Sequence, residues 1–308
     1  DPMAREPLRE DSVRRYRVAS FGSLAEAARR YLDETGAAPT RAVFAVAGRV
    51  DAGEVRITNL PWTVSAAATR EALGLASVRL LNDFAALGTG LPLLGAEYLQ
   101  TIGVPRTLPC EARRDQTVAV VGPGTGLGVG ALLVRDGRPI VLETEGGHAS
   151  FAPNTAEQRE ILRILTARFG HVSNERLICG AGLVNLYRAL SELAGTAPLE
   201  LAPEDITARG GDPLCARAVE VFCDVLGAIA GDLVLMFGAW DGVYIAGGLL
   251  EPLLPRLAAS GFRASFEDKG RFAATMASVS TVAITHPQAG LLGAAAAAVL
   301  EAGGTLSR

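Results

Sequence analysis

Thr117-Val-Ala-Val-Val-Gly-Pro-Gly-Thr-Gly-Leu-Gly-Val-Gly130 sets the architecture. Thr117 to Val121 is an uncharged, largely β-branched run of the kind that forms a buried strand. It enters the glycine-rich segment without a helix signal, and a strand pair follows, Gly128 to Arg135 and Pro139 to Leu142, around the hairpin dipeptide Asp136-Gly137. Downstream, the apolar spacing predicts helices over Ala156 to Phe169 and Ala181 to Ala194, and a long apolar-striped helix over Ala216 to Phe237 that ends at Gly238. Val243 to Ala246 reads as a buried strand closed by Gly247-Gly248, a helix follows near Pro252, and Leu291 to Leu300 as a small-residue helix. Upstream, an alternating strand is expected over Val13 to Ser20. A helix then starts at Ser23, with Glu26 placed as in a capping box, and stops at Gly36. A strand over Arg41 to Ala47, a polar hairpin-like segment from Asp51-Ala-Gly53 to Thr58-Asn59, a helix near Ser65 to Leu73 and a strand over Val78 to Leu81 complete the pattern. The strand pattern thus occurs twice, which points to an α/β chain of two lobes with a boundary near Pro92 to Gly95.

The 308 residues, 49% hydrophobic and 20% charged, suffice for large cores and exclude a disordered chain. Lys plus Arg at 29 against Asp plus Glu at 33 gives a net charge of −4, so there is no global positive field to hold nucleic acid. The longest uncharged stretch, Phe272 to Leu300, is interrupted by His286, Pro287 and Gln288, and no membrane span is expected. Cys110, Cys179, Cys215 and Cys223 fit neither a disulfide framework nor a Cys-x-x-Cys metal pattern, and the first residues lack a secretion signal, so a cytoplasmic location is expected.

Several segments carry chemistry. Gly122, Gly124, Gly126 and Gly128, with Thr125 among them, lie at a strand-to-strand turn whose backbone N–H groups could close on phosphate oxygens. No Gly-Lys-Ser/Thr follows, and the residues alone leave a phosphate nest and a bulged glycine hairpin equally open. Asn82-Asp83 follows a buried strand, where α/β sheets bind ligands. Asp83 there could draw a proton from a hydroxyl nucleophile while Asn82 orients it, although residue type alone favours Asp83 as a helix cap. Glu145, His148 and Glu175 lie in short loops, and carboxylates suit a polyol because each accepts two hydrogen bonds. Taken singly, the two glutamates read as solvated charges. Gly247-Gly248 offers bare backbone to a flat ring, or a tight turn before a helix. Phe266-Glu-Asp-Lys-Gly-Arg-Phe272 reads as a solvated loop of mixed charge, with Lys269 or Arg271 as a lesser candidate for a neighbouring subunit.

Taken together, Leu81-Asn-Asp-Phe84, the Gly122 to Gly128 run, Glu145-Gly-Gly-His148, Phe151-Ala-Pro-Asn154, His171-Val-Ser-Asn-Glu-Arg176, Gly182-Leu-Val-Asn-Leu-Tyr187, Ala246-Gly-Gly248, Gly261-Phe-Arg263 and Phe266 to Phe272 resemble the bacterial glucokinase family of the actin-like ATPase superfamily. The resemblance runs in order along nearly the whole chain. It implies a two-lobed, ribonuclease H-like α/β fold with a substrate cleft, made of a small domain (1–93 plus 291–308) and a large one (94–290). It also implies ATP-dependent phosphorylation of glucose at the 6-hydroxyl, Mg²⁺ held mainly through the nucleotide phosphates, lobe closure on glucose and a homodimer. By position, Asp83 would be the general base and Asn82, Asp83, Glu145, His148 and Glu175 the sugar ligands. Gly122, Gly124, Thr125 and Gly126 would hold phosphate, and Gly247 and Gly248 would face the adenosine.

The chain departs from the family in two places. The cysteine-rich zinc motif of the related repressor/kinase sugar family is absent after His148. The family also opens with a strand, an Asp-x-Gly-Gly-Thr phosphate loop and a second strand, and Asp1 to Ser20 carries no counterpart. By resemblance that hairpin belongs ahead of Asp1, so a truncated sequence is expected, and catalysis without the hairpin would be severely impaired. A glucose-binding protein without phosphoryl transfer, a kinase for another hexose and a polyphosphate donor are the alternatives.

Overall fold

The computed structural model describes residues 7–57, 62–103, 115–136, 138–304 and 306. The expected turn at Thr58-Asn59, most of the charged link after Cys110, Cys110 itself, Gly137 and Asp1-Pro2 lie outside the described residues. In chain order the elements are α1 (Leu24–Thr35), β1 (Arg41–Val46), β2 (Glu54–Arg56), β3 (Thr63–Ser65), α2 (Ala66–Leu73), β4 (Ser77–Asn82) and α3 (Asp83–Gly90). Then come β5 (Leu99–Thr101), β6 (Gln116–Pro123), β7 (Leu127–Arg135), β8 (Arg138–Thr144), α4 (Ala156–Phe169), α5 (Gly180–Leu193), α6 (Pro203–Ala208) and α7 (Pro213–Phe237). The chain ends with β9 (Val243–Ile245), α8 (Leu250–Leu257), α9 (Phe262–Glu267), α10 (Ala273–Met276), β10 (Thr281–Ile284) and α11 (Ala289–Glu301). It divides into two compact units, 1–95 with 286–308, and 96–285.

In the first unit β1 and β4 run parallel, with Val46 opposite Asn82, and β2 and β3 form an antiparallel ribbon. Val46, Val55, Val64 and Leu80 are buried together, with Phe44 and Trp62 against them. Ser23 caps α1 through its hydroxyl, which accepts the Glu26 N–H at 3.2 Å. The Glu26 carboxylate reaches back to the Gly22 N–H at 2.7 Å, one residue beyond the position a capping box uses. The expected strand over Val13 to Ser20 is not formed. That stretch holds a 3₁₀ turn at Val18–Ser20 and extended residues, mostly exposed. Arg14, Arg15 and Arg17 leave neither face apolar enough to bury, and a strand without a partner leaves its backbone polar groups unpaired. In the same unit α11 crosses α3 at glycine contacts, Gly293 against Gly90 and Ala86. A Cβ on Gly293 would stand 1.7 Å from the Ala86 carbonyl oxygen, so the backbones meet where no side chain fits.

The second unit is built on a six-stranded sheet in the order β5-β10-β9-β6-β7-β8. β9 lies parallel to both β10 and β6, and the β6–β7 and β7–β8 pairs are antiparallel. Every residue of β6 is buried, which explains its unbroken apolar run. Helix α7 starts at Pro213 behind Asp212, whose carboxylate accepts the Leu214 and Cys215 N–H groups at 2.9 and 3.0 Å. It packs its Phe222, Leu226 and Ile229 face into a core shared with Ile161, Leu183, Phe262 and Phe266. The mixed-charge segment Phe266 to Phe272 is a solvated loop only in part: Asp268, Gly270, Arg271 and Phe272 are exposed, but the rest is anchored. Phe266 is fully buried, and the Lys269 ammonium lies under α7, 2.7 Å from Asp232 Oδ1 and 3.0 Å from the Ala228 carbonyl oxygen. Cys179, Cys215 and Cys223 are free thiols buried in this unit, and burial pushes the Cys223 thiol up to about 12. Among the described residues no helix is long and apolar enough to cross a membrane.

Candidate active site

In the first unit, β4 ends at Asn82 and α3 begins at Asp83 with no loop between. Asn82 is still extended, and its Oδ1 accepts the N–H groups of Phe84 at 2.9 Å and Ala85 at 3.2 Å. Its Nδ2 donates to the Gly48 carbonyl at 3.2 Å. The helix cap is therefore Asn82, not Asp83. Asp83 occupies the first helical position, half-buried, with Oδ1 3.0 Å from the Phe84 N–H. Residue type alone offered Asp83 as the cap, and the strand register moves the cap to Asn82, which still pairs with Val46.

In the second unit the glycine run forms a tight hairpin. Gly122 pairs with Gly128 inside the ladder, Pro123 and Leu127 close it, and Gly124, Thr125 and Gly126 make the turn. Gly122 is buried in β6, whereas Thr125 is exposed at the tip. Within the turn the Gly124 N–H donates to the Gly126 carbonyl at 2.8 Å, and the Gly124 carbonyl accepts the Gly180 N–H at 2.9 Å.

The two closing residues face different partners. On the Pro123 side, its carbonyl accepts the Leu249 N–H at 3.2 Å. A Cβ on Gly247 would fall 2.3 Å from the same carbonyl oxygen, and the φ of +110° at Gly247 is one that side-chain-bearing residues rarely adopt. Gly248 beside it is exposed, with open space where a side chain would be. On the Leu127 side, the N–H donates to Glu175 Oε2 at 2.8 Å. A Cβ on Gly147 would stand 2.1 Å from the Leu127 carbonyl oxygen, so the Glu145 to His148 loop lies directly on the hairpin.

Glu145 precedes a 3₁₀ turn at Gly146–His148, and its Oε2 is 3.9 Å from His148 Nε2, with both side chains more than half exposed. Glu175 lies in a second 3₁₀ turn, Asn174–Arg176. Backbone bonds from Asn174 N–H to the Ala149 carbonyl (2.9 Å) and from Phe151 N–H to the Val172 carbonyl (3.0 Å) join the two segments, and Ser150 bridges Ser173. His171 Nε2 lies 3.3 Å from the His148 carbonyl oxygen. Glu145, His148, Glu175, the Gly124 to Gly126 turn and Gly247 thus converge within one unit. The exposed Glu145 carboxylate and the half-buried, Leu127-bound Glu175 stand on one flank of the hairpin, and exposed glycine backbone on the other. Sequence reasoning missed Gly180 and Leu249, whose N–H groups hold the hairpin. The available signal was the helix starts there, α5 at Gly180 itself and α8 directly after Leu249.

The chain matches the Glucokinase family model over residues 3–301. A glucokinase of Xanthomonas campestris pv. campestris (strain B100) is 54% identical over 295 residues, covering 95% of this chain and 88% of that protein. The crystal structure of glucokinase from an Antarctic psychrotroph is similar at a TM-score of 0.80 and 35% identity, over 92% of this chain and 87% of that one. A ROK-family glucokinase from Streptomyces griseus, solved in complex with glucose and AMPPNP, shares the fold at a TM-score of 0.62 and 18% identity, over 94% and 93% of the two chains. The fold is that of the two-lobed actin-like sugar kinases, and the chain belongs to the glucokinase family.

Proposed function

We propose that this protein transfers the γ-phosphoryl group of ATP to the 6-hydroxyl of glucose, giving glucose 6-phosphate and ADP. Family membership supports the reaction, and the hairpin closed by Pro123 and Leu127 carries it: one short turn joins exposed glycine backbone to a set of sugar-type acceptors. Asp83 takes the proton of the 6-hydroxyl as its oxygen attacks phosphorus in line. An alcohol is too weak an acid to ionise beforehand, so proton transfer accompanies attack. Asn82 holds Asp83 at the head of α3, and its amide retains a second N–H, beyond the one given to Gly48, for a sugar oxygen. Glu145, His148 and Glu175 take the other hydroxyls. Backbone N–H groups at Thr125 and Gly126 take phosphate oxygens, the Gly124 N–H being given to the Gly126 carbonyl and Gly122 being buried in the ladder, and the adenosine lies along Gly247 and Gly248.

Mg²⁺ would enter with the nucleotide and be held mainly through its phosphates. When bound, the ion neutralises charge on the phosphoryl oxygens. The two units correspond in this reading to a small and a large domain, and the protein works as a cytoplasmic homodimer, as the family resemblance implies. The test is Asp83→Asn. Glucose-dependent ADP release should fall about 10²- to 10⁴-fold, with glucose affinity kept within a few-fold by fluorescence titration. Unchanged turnover would remove Asp83 from the base's role.

A further inference from the structure

Glu175 has an occupant before any sugar arrives. Its Oε2 accepts the Leu127 N–H at 2.8 Å and lies where a Cβ of Gly126 would be, 2.5 Å away. Leu127 closes the hairpin opposite Pro123, which is held from the other side by the Leu249 N–H. With the Gly180 N–H on the Gly124 carbonyl, the carboxylate is therefore one of three clamps on the Gly124 to Gly126 turn, the only one of the three made by a side chain, and it grips at the residue where the turn rejoins β7. A charge-assisted bond from an ionised carboxylate to a backbone N–H is stronger than a neutral one. Without it the turn would sample more conformations, and a nucleotide would have to order it on binding.

We propose that Glu175 is a positioning residue for the nucleotide as well as a sugar ligand: by anchoring the Leu127 N–H it presets the phosphate turn, so that sugar and nucleotide bind with positive coupling through one carboxylate. The sugar half rests on the function proposed above, and the anchoring half does not. A hydroxyl donated to Glu175 orders the carboxylate that holds the turn, which favours the nucleotide-binding geometry. By linkage, a bound nucleotide raises sugar affinity by the same factor.

The probe is AMPPNP with Mg²⁺, titrated calorimetrically into the full chain without glucose and then with saturating glucose. Glu175→Ala should weaken AMPPNP about tenfold in the absence of glucose and abolish the enhancement that glucose gives the unaltered protein. Glu175→Gln retains a carbonyl oxygen for the Leu127 N–H and should stay within about threefold for AMPPNP while weakening glucose. Glu145→Ala should weaken glucose and leave AMPPNP alone. Gly126→Ala, whose methyl group would displace the carboxylate, should reproduce the AMPPNP loss of Glu175→Ala and add nothing to it in the double variant, and it stands in should Glu175→Ala not fold. AMPPNP binding to Glu175→Ala as tight as to the unaltered protein overturns the proposal, as does a loss in Glu175→Gln equal to that in Glu175→Ala. Undiminished glucose binding in both Glu145→Ala and Glu175→Gln would instead refute the sugar assignment, with the glucose-free AMPPNP arm still deciding the anchor.

Discussion

Asp83 depends on a contact at the far side of its helix, and Gly293→Ala tests that dependence. The new Cβ would stand 1.7 Å from the Ala86 carbonyl oxygen and 2.3 Å from its carbon, whereas real Cβ atoms stay beyond 3.0 Å. The obstacle is backbone, so no rotamer change relieves it, and α3 must part from α11 by about 1.3 Å or more. Overpacking of this kind costs about 1–3 kcal/mol. The clash with a carbonyl puts it at the upper end, and the helix propensity gained on leaving glycine returns about 1 kcal/mol, for a net loss of about 2 kcal/mol. Ala86 lies one turn beyond Asp83, so the carboxylate moves with the helix. Misplacing a reacting group by about 1 Å can cost about 10²-fold in rate. We expect ADP release to fall by that order with glucose affinity reduced less, and the midpoint of thermal unfolding to drop by about 5 °C. Gly290→Ala in the same helix is the control. Its Cβ meets nothing within 4 Å, so it should keep full turnover and gain up to about 1 kcal/mol of stability. Wild-type turnover and melting in Gly293→Ala would refute the claim that the α3–α11 crossing positions the base.

Two further predictions concern the second unit. Burial pushes the Asp224 carboxyl above its ordinary 3.8, with Glu220 and Glu157 adding to the shift and Arg217 opposing it. The folded state thus disfavours the charged form, so stability is greatest below the unfolded value and declines as pH rises from there through the raised folded one. Asp224→Asn should therefore melt higher than the unaltered protein at neutral pH, with the difference vanishing as the pH approaches about 4; coincident melts at neutral pH would refute this. Lys269→Met removes a buried ammonium that holds Asp232 and the Ala228 carbonyl. It should cost about 2 kcal/mol in urea unfolding, and an unchanged midpoint would mean that the pair does not brace α7.

What could be read from sequence, and what could not, divides along physical lines. Helix α4 was legible to the residue because Thr155 caps its start and Gly170 stops it, both local signals. The β6–β7 hairpin was legible because a strand buried on both faces cannot hide its apolar run. β5 and β10 were not: each is three or four residues long, and they pair with each other across some 180 positions of sequence. Lys269 looked solvated because its partners, Asp232 and the Ala228 carbonyl, lie on a helix distant in the chain. Val13 to Ser20 alternates but carries three arginines, and alternation without a partner strand forms no ladder.

The candidate site divides in the same way. Glu145, His148 and Glu175 could be singled out through the family resemblance, since residue type alone reads the two glutamates as solvated charges. Their arrangement could not, because the contacts that create it run through backbone: Leu127 N–H to Glu175, Leu127 carbonyl against Gly147, Gly180 N–H to Gly124, Leu249 N–H to Pro123. A backbone N–H carries no residue identity, so a sequence motif can mark which side chains meet a ligand but not what holds the motif in shape. Here that distinction has a consequence for substitutions. Replacing a marked side chain removes one ligand contact, whereas adding a methyl group at Gly147 or Gly247, each against backbone, forces apart segments that present several contacts at once. Gly147, whose approach to Leu127 seats the Glu145 loop on the hairpin, should therefore tolerate less change than the exposed Glu145 carboxylate.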